Sequence, residues 1–329
     1  SGQLYAYGFP SARLLKIIPV FSQDPQSGYG YSEESKNLLM TSWGFVPWDD
    51  LHHPDISQTN GETDGRWVFA NGNNTPRIAR IDLKDFTTKE IIEIPHSAGN
   101  HSSAFVTENT EYVVAGTRFG VPTPQRDMPI EDYKGNFSGN ITFISIDQED
   151  GGMDIAFQLK MPGFNYDLSH PGRDKSHGWM FFTTYNTEEA HTLLENNASE
   201  LDKDYVAAIN WKKAEEYVAA GKGKLVPAKY AHNKFDDSKQ FATHTMKDEI
   251  LVLDPAELPG IVYFLPSAKS PHGCDVDPTG EYIVINGKLS SNLVVHSFTK
   301  MVEAIDNEDF IGEAYGIPIL NYDSILAGV

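Results

Sequence analysis

Two distant segments of the chain repeat one pattern of short strands and tight turns. Residues 52–82 read HHPDISQTNGETDGRWVFANGNNTPRIARID, and residues 271–297 read PHGCDVDPTGEYIVINGKLSSNLVVHS. Each segment has a histidine, a short strand, a turn with glycine, an apolar strand that ends in Asn-Gly, a polar turn and another strand. Four-strand units of this kind, repeated along a chain, are typical of the blades of a β-propeller.

The same pattern of short strands and turns divides most of the chain into repeated units. One unit spans 52–95, a second spans 101–161, and a third begins near Asp167, with no alternation of strands and long helices. We therefore predict an all-β fold, a β-propeller, in which residues 1–48 wrap around the blades and residues 49–329 form them. At about 48 residues per blade, the length allows five to six blades. The spacing of apolar residues also predicts one helix over 211–221.

Composition excludes several functions. The formal net charge of −20 argues against binding to nucleic acid or to anionic membranes, which needs clustered Lys and Arg. No run of 18 apolar residues is present, so no membrane span is predicted. The single cysteine, Cys274, excludes an internal disulfide or a zinc ribbon. Cys274 is either a small buried hydrophobic residue or a group that approaches a metal.

Two adjacent histidines, His52 and His53, open the first unit. Neighbouring residues in a strand point to opposite faces, so both imidazoles can bind one centre only if the backbone turns or bulges. Pro54 favours such a distortion, and the Asp50 carboxylate is placed to accept an imidazole N–H, as carboxylates beside metal-bound histidines do. The alternative is a polar turn that leads into a strand.

Further histidines begin later units. His53, His101 and His272 each fall at the start of the first strand of a unit, and the first strands of propeller blades line the central channel. The three histidines are therefore predicted to meet in a ring, and imidazole suits Cu, Zn, Fe or Ni. The other seven lack this register and are interpreted as structural: His96, His170, His177, His191, His232, His244 and His296.

A second metal site is suggested near an acidic insertion at 186–203. A strand ends at Tyr185, Glu188 opens the insertion, and Asp204 follows its end. A carbonyl with two carboxylates is oxygen ligation suited to Ca²⁺. A solvated acidic loop explains the same residues.

Several stretches together resemble one family. DDLHHPDIS, DGRWVFANGNNTPRIARIDL, AGNH, FFTTYNTEEA and SPHGCDVDPTGEYIVINGKLS are similar to nitrous oxide reductase, most of all to its second clade. The resemblance implies a seven-bladed propeller, present here as an incomplete set of blades. In that family the propeller holds CuZ, a four-copper sulfide cluster bound by seven histidines, and a C-terminal cupredoxin domain holds the dinuclear CuA centre.

The resemblance implies roles for particular residues of this sequence. It makes four histidines ligands of CuZ: His52, His53, His101 and His272. It makes Asp50 and Asp167 carboxylates that support those ligands, and it makes the Tyr185 carbonyl, Glu188 and Asp204 ligands of a structural calcium. A further calcium ligand of the family is an Asn, and that position holds Ser270 here.

The function implied is the reduction of N₂O with two protons and two electrons to N₂ and water. The resemblance implies a periplasmic homodimer in which electrons cross from the partner's CuA domain, supplied by a cytochrome or a cupredoxin. The chain has no initiating Met and no signal-type segment, so we expect a fragment. The other three CuZ ligands and CuA would lie beyond Val329. The chain alone is therefore expected to be inactive, with no catalytic residue besides the cluster ligands.

Two other functions fit the pattern of residues. One is a propeller used as a binding scaffold, with structural histidines in its channel and no functional cluster. The other is a propeller hydrolase or lyase that uses a single metal ion. Copper and acid-labile sulfide in the full-length protein would distinguish the reductase from both.

Overall fold

A computed structural model describes the chain at 2–42, 44–101, 104–124, 126, 128–129, 132, 136–184, 204–230 and 247–328. The N-terminal part contains two short hairpins and one helix: β1 (Gln3–Tyr7), β2 (Leu14–Pro19), α1 (Glu33–Leu38), β3 (Met40–Thr41) and β4 (Gly44–Phe45). Ile18, Val20 and Phe21 from the end of this first hairpin pack against the next sheet of the chain. The boundary at residue 48 remains a prediction.

Sheet 1 is a four-stranded antiparallel meander in chain order. Its strands are β5 (Leu51–Thr59), β6 (Glu62–Gly72), β7 (Arg77–Asp82) and β8 (Thr87–Glu93). The turns between the strands contain Asn60-Gly61 and a polar segment at 73–76, as the sequence pattern predicts. Sheet 1 is therefore a complete propeller blade.

Sheets 2 and 3 follow the same plan. The strands of sheet 2 are β9 (Phe105–Val106), β10 (Tyr112–Gly116), β12 (Phe137–Ile146) and β13 (Met153–Pro162), with the short β11 (Val121–Pro122) paired to β12. Those of sheet 3 are β14 (Tyr166–Pro171), β15 (Trp179–Thr184), β16 (Tyr205–Asn210) and, after an insertion, β19 (Val262–Pro266). The insertion includes α2 (Trp211–Ala219), β17 (Lys224–Pro227) and β18 (Glu249–Leu253).

The helix α2 confirms the prediction for 211–221. The Asn210 side chain caps its first turn by accepting a hydrogen bond from the Lys213 N–H at 3.0 Å. Trp211 and Ala214, three residues apart, are its buried face, and Gly221 follows its end with a φ of +68°.

Sheet 4 has three strands, and the chain then returns to sheet 3. The remaining elements are β20 (Pro271–Val276), β21 (Tyr282–Gly287), β22 (Leu293–Ser297), α3 (Phe298–Asp306), β23 (Phe310–Ala314), β24 (Ile317–Leu320) and α4 (Tyr322–Ile325). The hairpins β17–β18 and β23–β24 extend the outer edges of sheets 2 and 3 through parallel pairing to β13 and β19. The described residues of 51–320 thus form four sheets of three or more strands, and the inserted hairpins and helices lengthen the units.

The core lies between successive sheets. Phe182 and Ala207 face sheet 2, whereas their neighbours Phe181 and Val206 face sheet 4. Alternate residues of a strand point to opposite faces, so each inner sheet contributes one face to each of two cores. Face-to-face packing of consecutive meanders is the architecture of a β-propeller, which confirms the predicted fold class. None of the described helices is long and apolar enough to cross a lipid bilayer.

Candidate metal centre

The first strand of every sheet lies at the same edge of the assembly. β5, β9, β14 and β20 each form one border of their sheet, and they pack against one another in that order. Residues some 50 to 220 positions apart along the sequence therefore meet at this inner edge. The candidate site is built there.

Three of these inner strands contain a β-bulge at the same place. His53-Pro54 of β5 oppose one residue of β6, as Asp167-Leu168 of β14 and His272-Gly273 of β20 do in their own sheets. A bulge inserts one extra residue and turns a side chain out of the regular alternation. His53 adopts a φ of +36°, and Gly273 a φ of +121°. This is the distortion that the adjacent histidines require if both are to face one centre.

The bulge in β5 brings three imidazoles together. One ring nitrogen each of His52, His53 and His101 lies within 4.8 Å of the others. The ring centroids are 5.3 Å apart for His52 and His53, 5.2 Å for His52 and His101, and 5.0 Å for His53 and His101. Phe105 of β9 stacks on the His53 ring at 6.4 Å. The three imidazoles are placed to share one metal centre.

Asp167 joins the fourth histidine to this group. Its carboxylate is fully buried, with Oδ1 3.0 Å from His101 Nδ1 and Oδ2 3.1 Å from His272 Nε2. The ring centroids of His101 and His272 are 6.5 Å apart, so His272 stands beside the three-histidine group. Because Asp167 occupies the bulge position in sheet 3, one buried carboxylate orients imidazoles from sheets 2 and 4.

Asp50 has the corresponding contact with His52. Its Oδ2 lies 3.2 Å from His52 Nδ1, although its side chain is 41% exposed. Asp49, which is buried, accepts a hydrogen bond from the Asp50 backbone N–H at 2.7 Å and fixes the start of the strand. The structure thus places both sequence-predicted carboxylates beside predicted histidines.

Burial disfavours the charged form of two imidazoles of the site, those of His53 and His272. Burial, together with the neighbouring imidazoles of His101 and His52, lowers the pKa of His53 to about 4. Burial also lowers the pKa of His272, against the opposing influence of the Asp167 carboxylate. A neutral imidazole has a free lone pair, which is the form that binds a metal.

A cavity of about 530 Å³ adjoins the centre. His53 and His272 lie on its wall, together with Asp55, His170 and Arg173. The inner edge of the blades therefore has a cavity with polar side chains on its wall, next to His53 and His272.

Of the three predicted calcium ligands, the described residues include only Asp204. Tyr185 and Glu188 lie outside the described residues, as does the acidic insertion. Asp204 accepts a hydrogen bond from the Ser270 backbone N–H at 2.6 Å, and its other oxygen lies 3.2 Å from Lys269 Nζ. The Ser270 hydroxyl is buried with no partner among the described residues. The structure therefore brings Asp204 and Ser270 together.

Most of the remaining described histidines have structural partners. His96 contacts Gln158 and the Pro227 carbonyl through its two nitrogens, His296 contacts the Pro266 carbonyl, and His177 lies between Glu108 and Glu111. His170 contacts the carbonyl of Pro171 and lines the cavity. His191, His232 and His244 lie outside the described residues.

Cys274 is a packing residue. It is buried between sheets 3 and 4, and its Sγ lies 3.3 Å from the Phe181 carbonyl oxygen. Burial raises the pKa of this thiol, so the thiolate that a metal would need is disfavoured. Of the two interpretations of Cys274, the structure favours the small hydrophobic residue.

Comparisons with known proteins show similarity to one group of enzymes. No protein-family model matches the chain. The nitrous-oxide reductase of Pseudomonas fluorescens is 28% identical over 325 residues, and that of Stutzerimonas stutzeri is 30% identical over 307 residues. The alignments cover 96% and 91% of this chain. The chain is a relative of the nitrous-oxide reductases.

The similarity to nitrous-oxide reductases is confined to part of those proteins. The alignments cover 45% of the Pseudomonas fluorescens protein and 43% of the Stutzerimonas stutzeri protein. The nitrous-oxide reductase of Cupriavidus necator, 28% identical over 323 residues, is covered to 46%. The chain thus spans less than half the length of the curated nitrous-oxide reductases that it matches.

A solved structure supports the fold. Hydrazine synthase of Kuenenia stuttgartiensis aligns with 93% of this chain and 61% of its own chain, with a TM-score of 0.52 and 12% sequence identity. At that identity the likeness concerns the fold alone.

Proposed function

We propose that the chain is part of a copper-dependent nitrous oxide reductase. The reaction is N₂O + 2 H⁺ + 2 e⁻ → N₂ + H₂O, at a copper–sulfide cluster whose ligands include His52, His53, His101 and His272. The single observation that supports this most is the three-imidazole group, with ring nitrogens within 4.8 Å of one another at the inner edge of the blades. The similarity to nitrous-oxide reductases points to the same chemistry.

The residues of the group fit a copper site. Nε2 of His53 is buried and has no hydrogen-bond partner among the described residues, which is costly for a polar atom unless a ligand binds it. The lowered pKa of His53 keeps its imidazole neutral at neutral pH, so that one ring nitrogen has a free lone pair for a metal. Imidazole suits copper, and the family's inorganic sulfide would supply the soft donor in a site without thiolates.

The chain's own residues hold and orient the ligands. Asp50 and Asp167 lie within 3.2 Å of ring nitrogens, where they fix the orientation of the imidazoles and raise their basicity. When bound, a reduced copper–sulfide cluster would supply the electron density that weakens the N–O bond of N₂O. The cavity beside His53 and His272 offers room for a small molecule near the ligands.

The remaining parts of the proposal follow from the resemblance. Residues 1–48 would wrap the propeller, and residues 49–329 would form part of its CuZ-binding domain. Tyr185, Glu188 and Asp204 would bind a structural calcium. CuA, a second subunit and a cytochrome or cupredoxin donor would serve electron delivery in the periplasm, during denitrification. Since only four of the family's seven CuZ histidines have matches here, the chain alone would not reduce N₂O.

One pair of variants tests this function. In the full-length protein, His272→Ala should abolish the visible absorption of the cluster and lower the copper content. His296→Gln is the matched control, because His296 is a buried histidine of the same sheet whose nitrogen contacts the Pro266 carbonyl. The control should keep both the absorption and the copper. An unchanged spectrum in His272→Ala would remove His272 from the ligand set.

A further inference from the structure

Asn71 connects the two segments that carry the three-histidine group. It lies on β6 directly opposite His52 in the pairing of β5 and β6, and it has no exposed surface. Its Nδ2 donates hydrogen bonds to the Asn100 carbonyl and, at 3.2 Å, to the His101 carbonyl. One side chain of sheet 1 thus binds the backbone at Asn100 and His101, in the segment that precedes the first strand of sheet 2.

His101 needs such support because regular pairing does not include it. The strand β9 begins at Phe105, four residues later, so the strand ladder as described does not fix the His101 backbone. Its carbonyl is held by Asn71 of sheet 1, and its imidazole is held by Asp167 of sheet 3. The position of His101 therefore depends on hydrogen bonds from both neighbouring sheets.

A comparable contact supports the fourth histidine. Thr183 lies on β15, the second strand of sheet 3, and its Oγ1 accepts a hydrogen bond from the Gly273 N–H at 3.2 Å. Gly273 is the neighbour of His272 in the bulge of β20. In both cases a side chain from the second strand of one sheet holds the ligand-bearing backbone of the next.

We propose that Asn71 is a positioning residue that sets the separation of His101 from His52 and His53. The inference rests on the proposed copper site and deepens it. A metal centre keeps its affinity only when its ligands are held to within about 0.5 Å of the productive geometry. Loss of the Asn71 amide releases the His101 backbone, while the imidazole remains attached to Asp167. The result is a centre with two well-placed ligands and one displaced ligand.

The test compares two variants that each break a buried contact between sheets 1 and 2. Asn71→Leu removes the amide donor near the site. Thr110→Val is the matched control: Thr110 is fully buried, and its Oγ1 accepts from the Gln58 N–H at 2.7 Å and donates to the Gln58 carbonyl at 2.8 Å. Gln58 lies near the far end of β5, five residues after His53, and Thr110 is not among the residues that line the cavity. Both variants lose hydrogen bonds of the same kind, but only one loses them at the centre.

The measurement is Cu(I) affinity of the metal-free full-length protein, by competition with a Cu(I) chelator, together with the number of imidazoles bound to Cu(I) by X-ray absorption. Asn71→Leu should weaken Cu(I) binding by about 10-fold or more and reduce the imidazole count, as loss of supporting contacts around metal ligands does. Thr110→Val should lower thermal stability and leave both values unchanged. If Asn71→Leu does not fold, Asn71→Ser, which is small and cannot reach the two carbonyls, replaces it with the same expectation.

The outcomes separate the inference from the proposed function. Wild-type protein that binds Cu(I), with unchanged affinity and imidazole count in the Asn71 variant, would overturn the positioning role alone. Equal loss of affinity in Asn71→Leu and Thr110→Val would overturn it too, because general destabilisation would then explain both. Wild-type protein that binds no Cu(I) would overturn the copper site and the inference together.

Discussion

Replacement of Asp167 by Asn is the sharpest perturbation of the candidate centre. The carboxylate is fully buried, and its two oxygens lie 3.0 Å and 3.1 Å from nitrogens of His101 and His272. Asn has the same shape but only one acceptor oxygen, so it keeps the hydrogen bond with His101 Nδ1 only when that oxygen replaces Oδ1, and it then turns an amide N–H₂ group toward His272. The change removes orientation from one of two predicted ligands without opening a cavity.

The expected magnitude follows from those contacts. Mutation of a group that hydrogen-bonds a metal ligand typically costs 10–100-fold in metal affinity, or about 1.4–2.7 kcal/mol. Loss of one hydrogen bond to a charged group, about 1.5–3 kcal/mol, gives a similar figure. Asp50→Asn should have a smaller effect, because the Asp50 side chain is 41% exposed and water can replace its contact with His52.

The assay is Cu(I) competition on metal-free full-length protein, with Glu93→Gln as the control. Glu93 is also a buried carboxylate with two hydrogen bonds, from the Ser42 N–H at 2.8 Å and the Ser42 hydroxyl at 2.6 Å, but it lies on β8, the strand of sheet 1 farthest in pairing order from β5 and its histidines. Glu93→Gln should leave Cu(I) affinity unchanged. Unchanged affinity in Asp167→Asn, or an equal loss in Glu93→Gln, would refute the role given to Asp167.

Two further predictions concern the chain itself. The chain expressed alone should show no N₂O reduction with an artificial electron donor, since it carries four of seven implied ligands, and measurable turnover would contradict that account. Contacts with Glu111 and Glu108 raise the pKa of His177, so its stabilising contribution should be complete below about pH 6.5 and disappear as the pH rises through the raised value. Unfolding midpoints measured across pH should lose that dependence in His177→Gln, and an identical pH profile in the variant would disprove the assignment.

The parts of the fold that the sequence predicts are those with a local signal. Alternation of apolar residues and Gly or Asn turns marks β5 to β8 within a few residues, because side-chain period and turn chemistry are local properties. For the hairpins β17–β18 and β23–β24, no local pattern in the sequence predicts which sheet they join. Their parallel pairing to β13 and β19 depends on which sheet edge is free, which only the assembled fold determines.

In the candidate site, too, local sequence patterns predict some residues, whereas other contacts depend on the assembled sheets. His52, His53, His101 and His272 are recognisable because they begin strands in a repeating pattern, and HHP suggests the bulge that the structure contains. The contact of Asp167 with two imidazoles at once depends on three sheets meeting. The positioning role of Asn71 is not predicted from the sequence, because Asn71 belongs to an Asn-Gly pair that is typical of a turn. No sequence pattern indicates its hydrogen bonds to the Asn100 and His101 carbonyls of the next blade.

The most direct test of the account is the copper and acid-labile sulfide content of the full-length protein, purified without oxygen. Both should be present, and copper should fall in Asp167→Asn and His272→Ala but not in Glu93→Gln. A folded full-length protein that contains neither copper nor sulfide would contradict the reductase function and leave the blades as a scaffold.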